Sequence, residues 1–292
     1  MTAMNNKLPG KDISSEDLIT KIPLAASKGK TKPVTFAGVS FGADDVPIVA
    51  GPNTVESEEM IVDIALRVKA SGAKVLRGGA FKPLSFPYRS STYRQSGVEG
   101  LKWLASAKTE SSLPVATEIL DIRDLEKVCE VADFLQIGSR NMQNFPLLIE
   151  AAKTGKAIIL KRHYGASLRD WLGAAEYILY AGNEKLILCE RGVTVPHTHR
   201  ATSRFLLDVQ VIPAVHEFSH LPIMVDPSHA SFWQPWVSPL ACAAVAAGAD
   251  SIMLEVHPNP REAWVDPLQA LDYNQFNTLS RKIETLAKFR RD

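Results

Sequence analysis

No GxGxxG follows an early apolar run and no GxxxxGK[ST] occurs in the 292 residues, so neither a dinucleotide fold nor a P-loop is supported. No window reaches the length of apolar sequence that a membrane span needs. The N-terminus, MTAMNNKLPGKDISSED, has neither the charged start nor the apolar core of a secretion signal. A soluble, non-secreted protein with no membrane partner is expected. Cysteine is scarce: Cys129, Cys189 and Cys242 are widely spaced and form neither a CxxC pair nor an even disulfide framework, which points to a reducing cytoplasm. Charge of one sign is lacking too. Lys plus Arg total 33 against 32 Asp plus Glu, a net charge of +1, so no overall basic field would draw nucleic acid. No internal repeat or low-complexity tract stands out.

What the chain does have is rhythm. Residues 1 to about 32 are polar, with a possible capping box at Ser14-Ser15-Glu16-Asp17, and residues 1–45 read as an N-terminal extension. Within it, Val34 to Phe41 alternates as a strand or hairpin would, in a position to close the bottom of a barrel. From Val46 onward eight apolar strand candidates follow: Ile48 to Gly51, Lys74 to Arg77, Val115 to Ile119, Phe134 to Gly138, Ala157 to Lys161, Leu186 to Glu190, Ile223 to Asp226 and Ile252 to Val256. Helical-period segments separate them at Glu58 to Ser71, Gly97 to Lys108, Ile122 to Val131, Asn144 to Lys153, Ser167 to Ala181 and Ser238 to Ala247. The aromatic stretch Ser231 to Trp236 reads as an insert before the last of these. Strict alternation on this scale predicts an α/β protein, a (β/α)8 TIM barrel over residues 46–292, which matches the roughly 250 residues such barrels use.

The strand candidates end on polar or charged side chains, and a barrel gathers those carboxyl ends into one active site. Arg77, Lys82, Arg140, Lys161 and Arg191 should therefore meet at one mouth. Guanidinium forks hold a phosphate in a defined orientation, and a lysine makes a compact contact to a carboxylate or passes a proton. The expected ligand is a phosphate ester that also carries a carboxylate. Taken singly, each of these residues is as easily a structural salt-bridge partner; together they would repel one another without an anion. Glu118 and Glu190 are expected to pair with the cations, Glu118 with a second option of steering a water or proton.

His229, Glu255 and Asp266 form a second set. One imidazole and two carboxylates suit a divalent transition metal such as Mn, Fe, Zn or Co. At the end of the first strand, however, Asn53 stands where a thiolate would supply a strong ligand, and a carboxamide offers only a neutral oxygen. Metal affinity should fall accordingly, with a divalent metal and a metal-independent mechanism both left open. His257 reads as a partner of this set, His163 as a residue at the mouth able to touch substrate, His197 and His199 as exposed, and His216 and His220 as ordinary loop residues.

With these residues in hand the chain resembles the superfamily of 3-deoxy-D-arabino-heptulosonate 7-phosphate (DAHP) synthase and 3-deoxy-D-manno-octulosonate 8-phosphate synthase, nearest the compact class I DAHP synthases. The resemblance runs from about Ile48 to Phe276 and rests on Arg77-Gly-Gly-Ala-Phe-Lys-Pro, Gln136 to Phe145, Cys189-Glu-Arg-Gly and Asp226-Pro-Ser-His-Ala230. It implies an aldol-type condensation of phosphoenolpyruvate with an aldose phosphate, erythrose 4-phosphate by default. It further implies phosphoenolpyruvate on Arg77, Lys82, the Ser139 backbone, Arg140, Lys161 and Arg191, and a metal at Asn53, His229, Glu255 and Asp266. Lys161, Glu118 and His229 are the expected catalytic groups.

Three departures matter. DAHP synthases have Cys at the position of Asn53, whereas metal-independent octulosonate phosphate synthases have Asn, so a metal-independent mechanism is expected to be open to this chain. Leu84 replaces an Arg that grips the aldose phosphate, which leaves Ser85, Arg89 and Arg94 as candidate replacements. Lys161-Arg162-His163 replaces Lys-Arg-Gly and adds bulk at the mouth. Two other readings stay open: a diverged homologue condensing phosphoenolpyruvate with a different aldehyde in specialised metabolism, and a non-catalytic barrel that binds phosphoenolpyruvate or a sugar phosphate. Such barrels are commonly homo-oligomers, dimers or tetramers.

Overall fold

A computed structural model describes residues 21–27, 29–83, 95–200 and 205–289. Eight parallel strands close into a barrel: β3 (Ile48–Gly51), β4 (Val75–Arg77), β5 (Val115–Ile119), β6 (Phe134–Ile137), β7 (Ala157–Lys161), β8 (Leu186–Glu190), β11 (Ile223–Val225) and β12 (Ser251–Glu255). Closure is made where β12 pairs with β3, Ile252 opposite Ile48 and Glu255 opposite Gly51. Each strand is buried along its whole length, which is why the sequence shows apolar runs and not alternation. Inward-facing Val49, Val75, Phe134, Ile159, Ile187, Met224 and Met253 fill the interior, while their neighbours pack outward on the helices.

The bottom of the barrel is closed by an antiparallel hairpin, β1 (Val34–Phe36) and β2 (Val39–Phe41). Phe41 and Phe36 meet Phe134 edge-on, with centroids 5.6 and 5.9 Å apart. Around the barrel lie α1 (Glu58–Ala70), α2 (Val98–Ser111), α3 (Leu125–Val131), α4 (Phe145–Lys153), α5 (Leu168–Tyr180), α6 (Val211–Phe218), the short α7 (Pro227–Ser231), α8 (Gln234–Ala246) and α9 (Tyr273–Phe289). Local chemistry sets their starts. Ser57 accepts from the Met60 amide to cap α1, and Ser167 and Asp170 cap α5 reciprocally. A two-stranded ribbon, β9 (Val193–Thr194) and β10 (Phe205–Leu206), follows β8.

Three sequence expectations change. Ser231 to Trp236 is not an insert ahead of a helix beginning at Ser238: α8 begins at Gln234, because Pro235 fits a first helical turn, where no backbone N–H is required. His216 lies on α6, not in a loop, with Nε2 3.1 Å from Asp250 Oδ2. Helices α6 and α9 carry no element in the sequence reading. Ser14 to Asp17 lie outside the described residues. No helix among the described residues is long and apolar enough to cross a membrane, and the three cysteines are free thiols.

Candidate active site

Strand ends deliver the charged residues to one rim. Arg77 ends β4, Glu118 lies in β5, Lys161 ends β7, Glu190 ends β8 with Arg191 next, Asp226 follows β11 and Glu255 ends β12; all are buried. Close backbone approach makes room for them. A Cβ on Gly138 would overlap the Glu118 carboxylate, and Gly192, at φ 97°, would press a Cβ to 2.8 Å from Phe205 Cβ and 3.0 Å from Ala230 Cα.

The Asn53 carboxamide joins several of these groups. Lys82 Nζ donates to its Oδ1 at 2.6 Å and Arg77 Nη2 at 3.2 Å, while its Nδ2 donates to Asp266 Oδ2 at 2.9 Å. Lys82 also lies 3.8 Å from Glu118 Oε2, which accepts from Gln136 Nε2 at 3.3 Å. Burial lowers the affinity of Lys82 for its proton, and the Glu118 charge opposes that fall.

Across the mouth Asp226 is the hub. Its Oδ2 accepts from Lys161 Nζ at 2.6 Å and lies 2.8 Å from His229 Nδ1, while its Oδ1 caps α7 by accepting from the His229 amide at 3.0 Å. Burial works to raise the Asp226 pKa, but the neighbouring imidazole and the Lys161 ammonium hold it well below the usual carboxylate range. Burial keeps His229 neutral to well below the usual imidazole range. The Asp-Pro-Ser-His run is thus one device: Asp226 caps, Pro227 opens the helix, Ser228 Oγ accepts from the Glu255 amide at 3.1 Å, and His229 points Nε2 toward Glu255 Oε2 at 3.8 Å. Burial raises the Glu255 carboxyl to about 8 against the pull of Arg77, with Gln269 donating to it at 2.6 Å.

Glu118 faces Lys82, a pairing with the cations that the sequence suggested, whereas Asp226, which the sequence did not mark as a partner, holds Lys161. Glu190 pairs not with its neighbour Arg191 but with Arg162, at 3.1 Å; Arg162 also binds Asp208 at 2.8 Å and lies over the Trp171 ring. Adjacent residues at a strand end point to opposite sides, so Glu190 and Arg191 diverge. Arg191 stacks on Phe205, 4.2 Å from guanidinium carbon to ring centroid. Arg140 is exposed and donates to the Pro83 carbonyl at 3.3 Å, and Ser139 opens a single turn of 3-10 helix after β6. His257 lies 3.4 Å from Glu56, whose Oε1 also accepts from the Trp264 amide at 2.8 Å; this ties the loop carrying Asp266 to the end of β3. His197 and His199 are exposed, and His220 Nδ1 lies 2.8 Å from Ser27 Oγ. Leu84, Ser85, Arg89 and Arg94 lie outside the described residues.

The donor set does not suit a divalent ion as it is arranged. The Asn53 oxygen is already shared by an ammonium and a guanidinium, its NH2 group faces Asp266, and a metal accepts no hydrogen bond. Among the described residues no three His, Cys, Asp or Glu side chains converge as a metal would require.

A family model described as the DAHP synthetase I family matches residues 21–290. The chain belongs to the DAHP synthetase I family. A phospho-2-dehydro-3-deoxyheptonate aldolase of Thermotoga maritima is 42% identical over 87% of this chain and 73% of its own. Its crystal structure superimposes with a TM-score of 0.83 at 40% identity, over 89% of this chain and 74% of that one. A 2-dehydro-3-deoxyphosphooctonate aldolase of Nitratidesulfovibrio vulgaris is 30% identical over 82% of this chain and 91% of its own. Family membership and the closed barrel agree with the resemblance carried by the Arg77 and Asp226 motifs. Sequence reasoning missed Asp226 as a hub and Gln136 and Gln269 as partners of Glu118 and Glu255. The glutamates at three strand ends, Glu118, Glu190 and Glu255, were visible, but not which cation or amide each would reach.

Proposed function

We propose that this chain condenses phosphoenolpyruvate with an aldose phosphate, D-erythrose 4-phosphate as acceptor, and releases inorganic phosphate. The observation that carries this reading is the convergence of buried Arg77, Lys161 and Arg191 with Lys82 at the carboxyl ends of the strands. Similarity to the Thermotoga enzyme favours it over a different aldehyde or a barrel without chemistry. Phosphoenolpyruvate brings a phosphate and a carboxylate, and Arg77, Lys82, the Ser139 backbone, Arg140, Lys161 and Arg191 are the groups to receive them.

C3 of phosphoenolpyruvate attacks the aldehyde carbon, and the aldehyde oxygen takes a proton. Lys161 is the donor in this reading: it is buried, cationic and held by Asp226, which steadies the ammonium until transfer. Water adds at C2, its proton leaving toward Glu118 or neutral His229. The resulting phosphohemiketal expels inorganic phosphate to give the 3-deoxy-2-oxo sugar acid phosphate. Positive charge at C2 is met by the bound anions and by the carboxylates of the rim.

No step needs a metal here, because Asn53 spends its oxygen on Lys82 and Arg77 and so fixes the two cations that face the ligand. Turnover after exhaustive chelation tests this. Phosphate release is expected to persist in the chelated wild type, and Asn53→Cys is expected to become responsive to Mn²⁺. Complete loss on chelation, restored by metal, would contradict the metal-independent part of the reading.

A further inference from the structure

We propose that His163 is a specificity-determining residue for the aldehyde acceptor, presenting a fixed N–H donor to one of that substrate's hydroxyl groups. The inference rests on the function proposed above and deepens it. His163 lies two residues beyond Lys161, just past the end of β7, with the Arg191 charge beside its ring; on the function proposed above, this is the rim at which the second substrate meets the first. Its backbone amide donates to Met142 Sδ at 3.1 Å. The ring packs against Tyr164, with centroids 4.1 Å apart, and Tyr164 in turn lies 5.2 Å from Phe205, the ring beneath Arg191. The Thr194 amide donates to the Tyr164 carbonyl at 2.8 Å, which ties this wall to the ribbon that carries Phe205. A continuous file of rings thus runs from behind the anion-binding guanidinium to the partly exposed imidazole.

The tautomer follows from one hydrogen bond. The Gly165 amide donates to His163 Nδ1 at 3.1 Å, so Nδ1 carries the lone pair and the proton of the neutral ring resides on Nε2. Among the described residues this amide is the one hydrogen-bond partner of the ring. Partial burial, with the Arg191 charge beside it, lowers the His163 pKa, so the group meets substrate as a neutral donor. Cations already serve the phosphate and carboxylate. A neutral N–H adds little for an anion among so many guanidinium and ammonium groups, but it suits a hydroxyl, which exchanges one water bond for one protein bond. Of the two substrates only the aldose carries free hydroxyls.

The test pairs enzyme and substrate deletions. Phosphate release is measured for the wild type, His163→Ala and His163→Gln with D-erythrose 4-phosphate and with its 2-deoxy and 3-deoxy analogues. The wild type should prefer the parent aldose over one of the analogues by about tenfold in kcat/KM, the loss expected for one hydrogen bond. In His163→Ala that preference should vanish, with the KM for phosphoenolpyruvate unchanged. Gln, whose amide nitrogen reaches the Nε2 position, should restore most of it. Discrimination that survives intact in His163→Ala overturns the inference alone, as does a change confined to the KM for phosphoenolpyruvate. If the wild type releases no phosphate with any of the three aldoses, the proposed function falls and this inference with it.

Discussion

At the amino ends of the barrel strands, half-buried Phe36 and buried Phe41 lie edge-on against Phe134 above Val49, Ile187 and Met224; at the carboxyl ends the charged Arg77, Lys161, Glu190 and Glu255 are buried too. The first layer is held by burial that has no direction, and any well-fitting apolar volume serves. In the second, each group depends on named partners: Lys161 on Asp226, Arg162 on Glu190 and Asp208, and Asn53 on Lys82, Arg77 and Asp266. Removing one partner there strands a charge away from water. The same eight strands therefore separate stability from chemistry along their length. Substitutions at the bottom should cost folding energy alone, and those at the top should cost activity, with stability following the pairing.

Lys161→Met should break this division most visibly. Loss of the proposed proton donor and anion ligand is expected to lower kcat/KM for phosphate release by about 10³-fold. A decrease no larger than that of a surface lysine variant would remove Lys161 from the chemistry. Arg162→Met comes next, on the stability side. It leaves Glu190 and Asp208 without their shared cation, and denaturant unfolding should show a loss of about 3–5 kcal/mol. Phe41→Ala at the opposite end should lose a similar ~3–5 kcal/mol by opening a cavity under Phe134, yet leave kcat of the folded fraction unchanged. A fall in kcat for Phe41→Ala would show that the two ends are coupled.

The smallest expected effect is a pH slope. Burial raises the Glu255 carboxyl from 4.5 to about 8, so the folded protein keeps a proton that the unfolded chain has released between those values. Stability contributed by that proton is complete below the unfolded value and is lost as the pH rises through about 8. Melting temperature should therefore decline across that window in the wild type, and Glu255→Gln, neutral throughout, should flatten the slope. An unchanged slope in the variant would assign the titration to another group.

Most of the barrel was legible because parallel strands covered on both faces must be written as apolar runs, and because the polar residue ending each run marks its carboxyl end. The hairpin was legible by alternation from Val34 to Phe41. Helix α6 was not: Val211-Ile-Pro-Ala-Val215 is apolar with little polar contrast, and Pro213 reads as a breaker although it sits in the first turn, where it is tolerated. The charged residues of the rim were visible as a set, but their pairing was not. Sequence order places Glu190 beside Arg191, while the alternation of side chains sends one to Arg162 and the other to Phe205. Asp226 was hidden for a related reason. Its role as hub depends on Lys161, 65 residues earlier, reaching the oxygen that the α7 cap leaves available.

Calorimetric titration of phosphoenolpyruvate into the wild type and into Arg77→Met tests the central claim most directly, that cations at the strand ends hold this ligand. One molecule per chain should bind the wild type, and the variant, lacking a charge-assisted contact of about 1.5–3 kcal/mol, should bind it roughly ten- to hundredfold more weakly. Equal affinity in the two proteins would contradict the account.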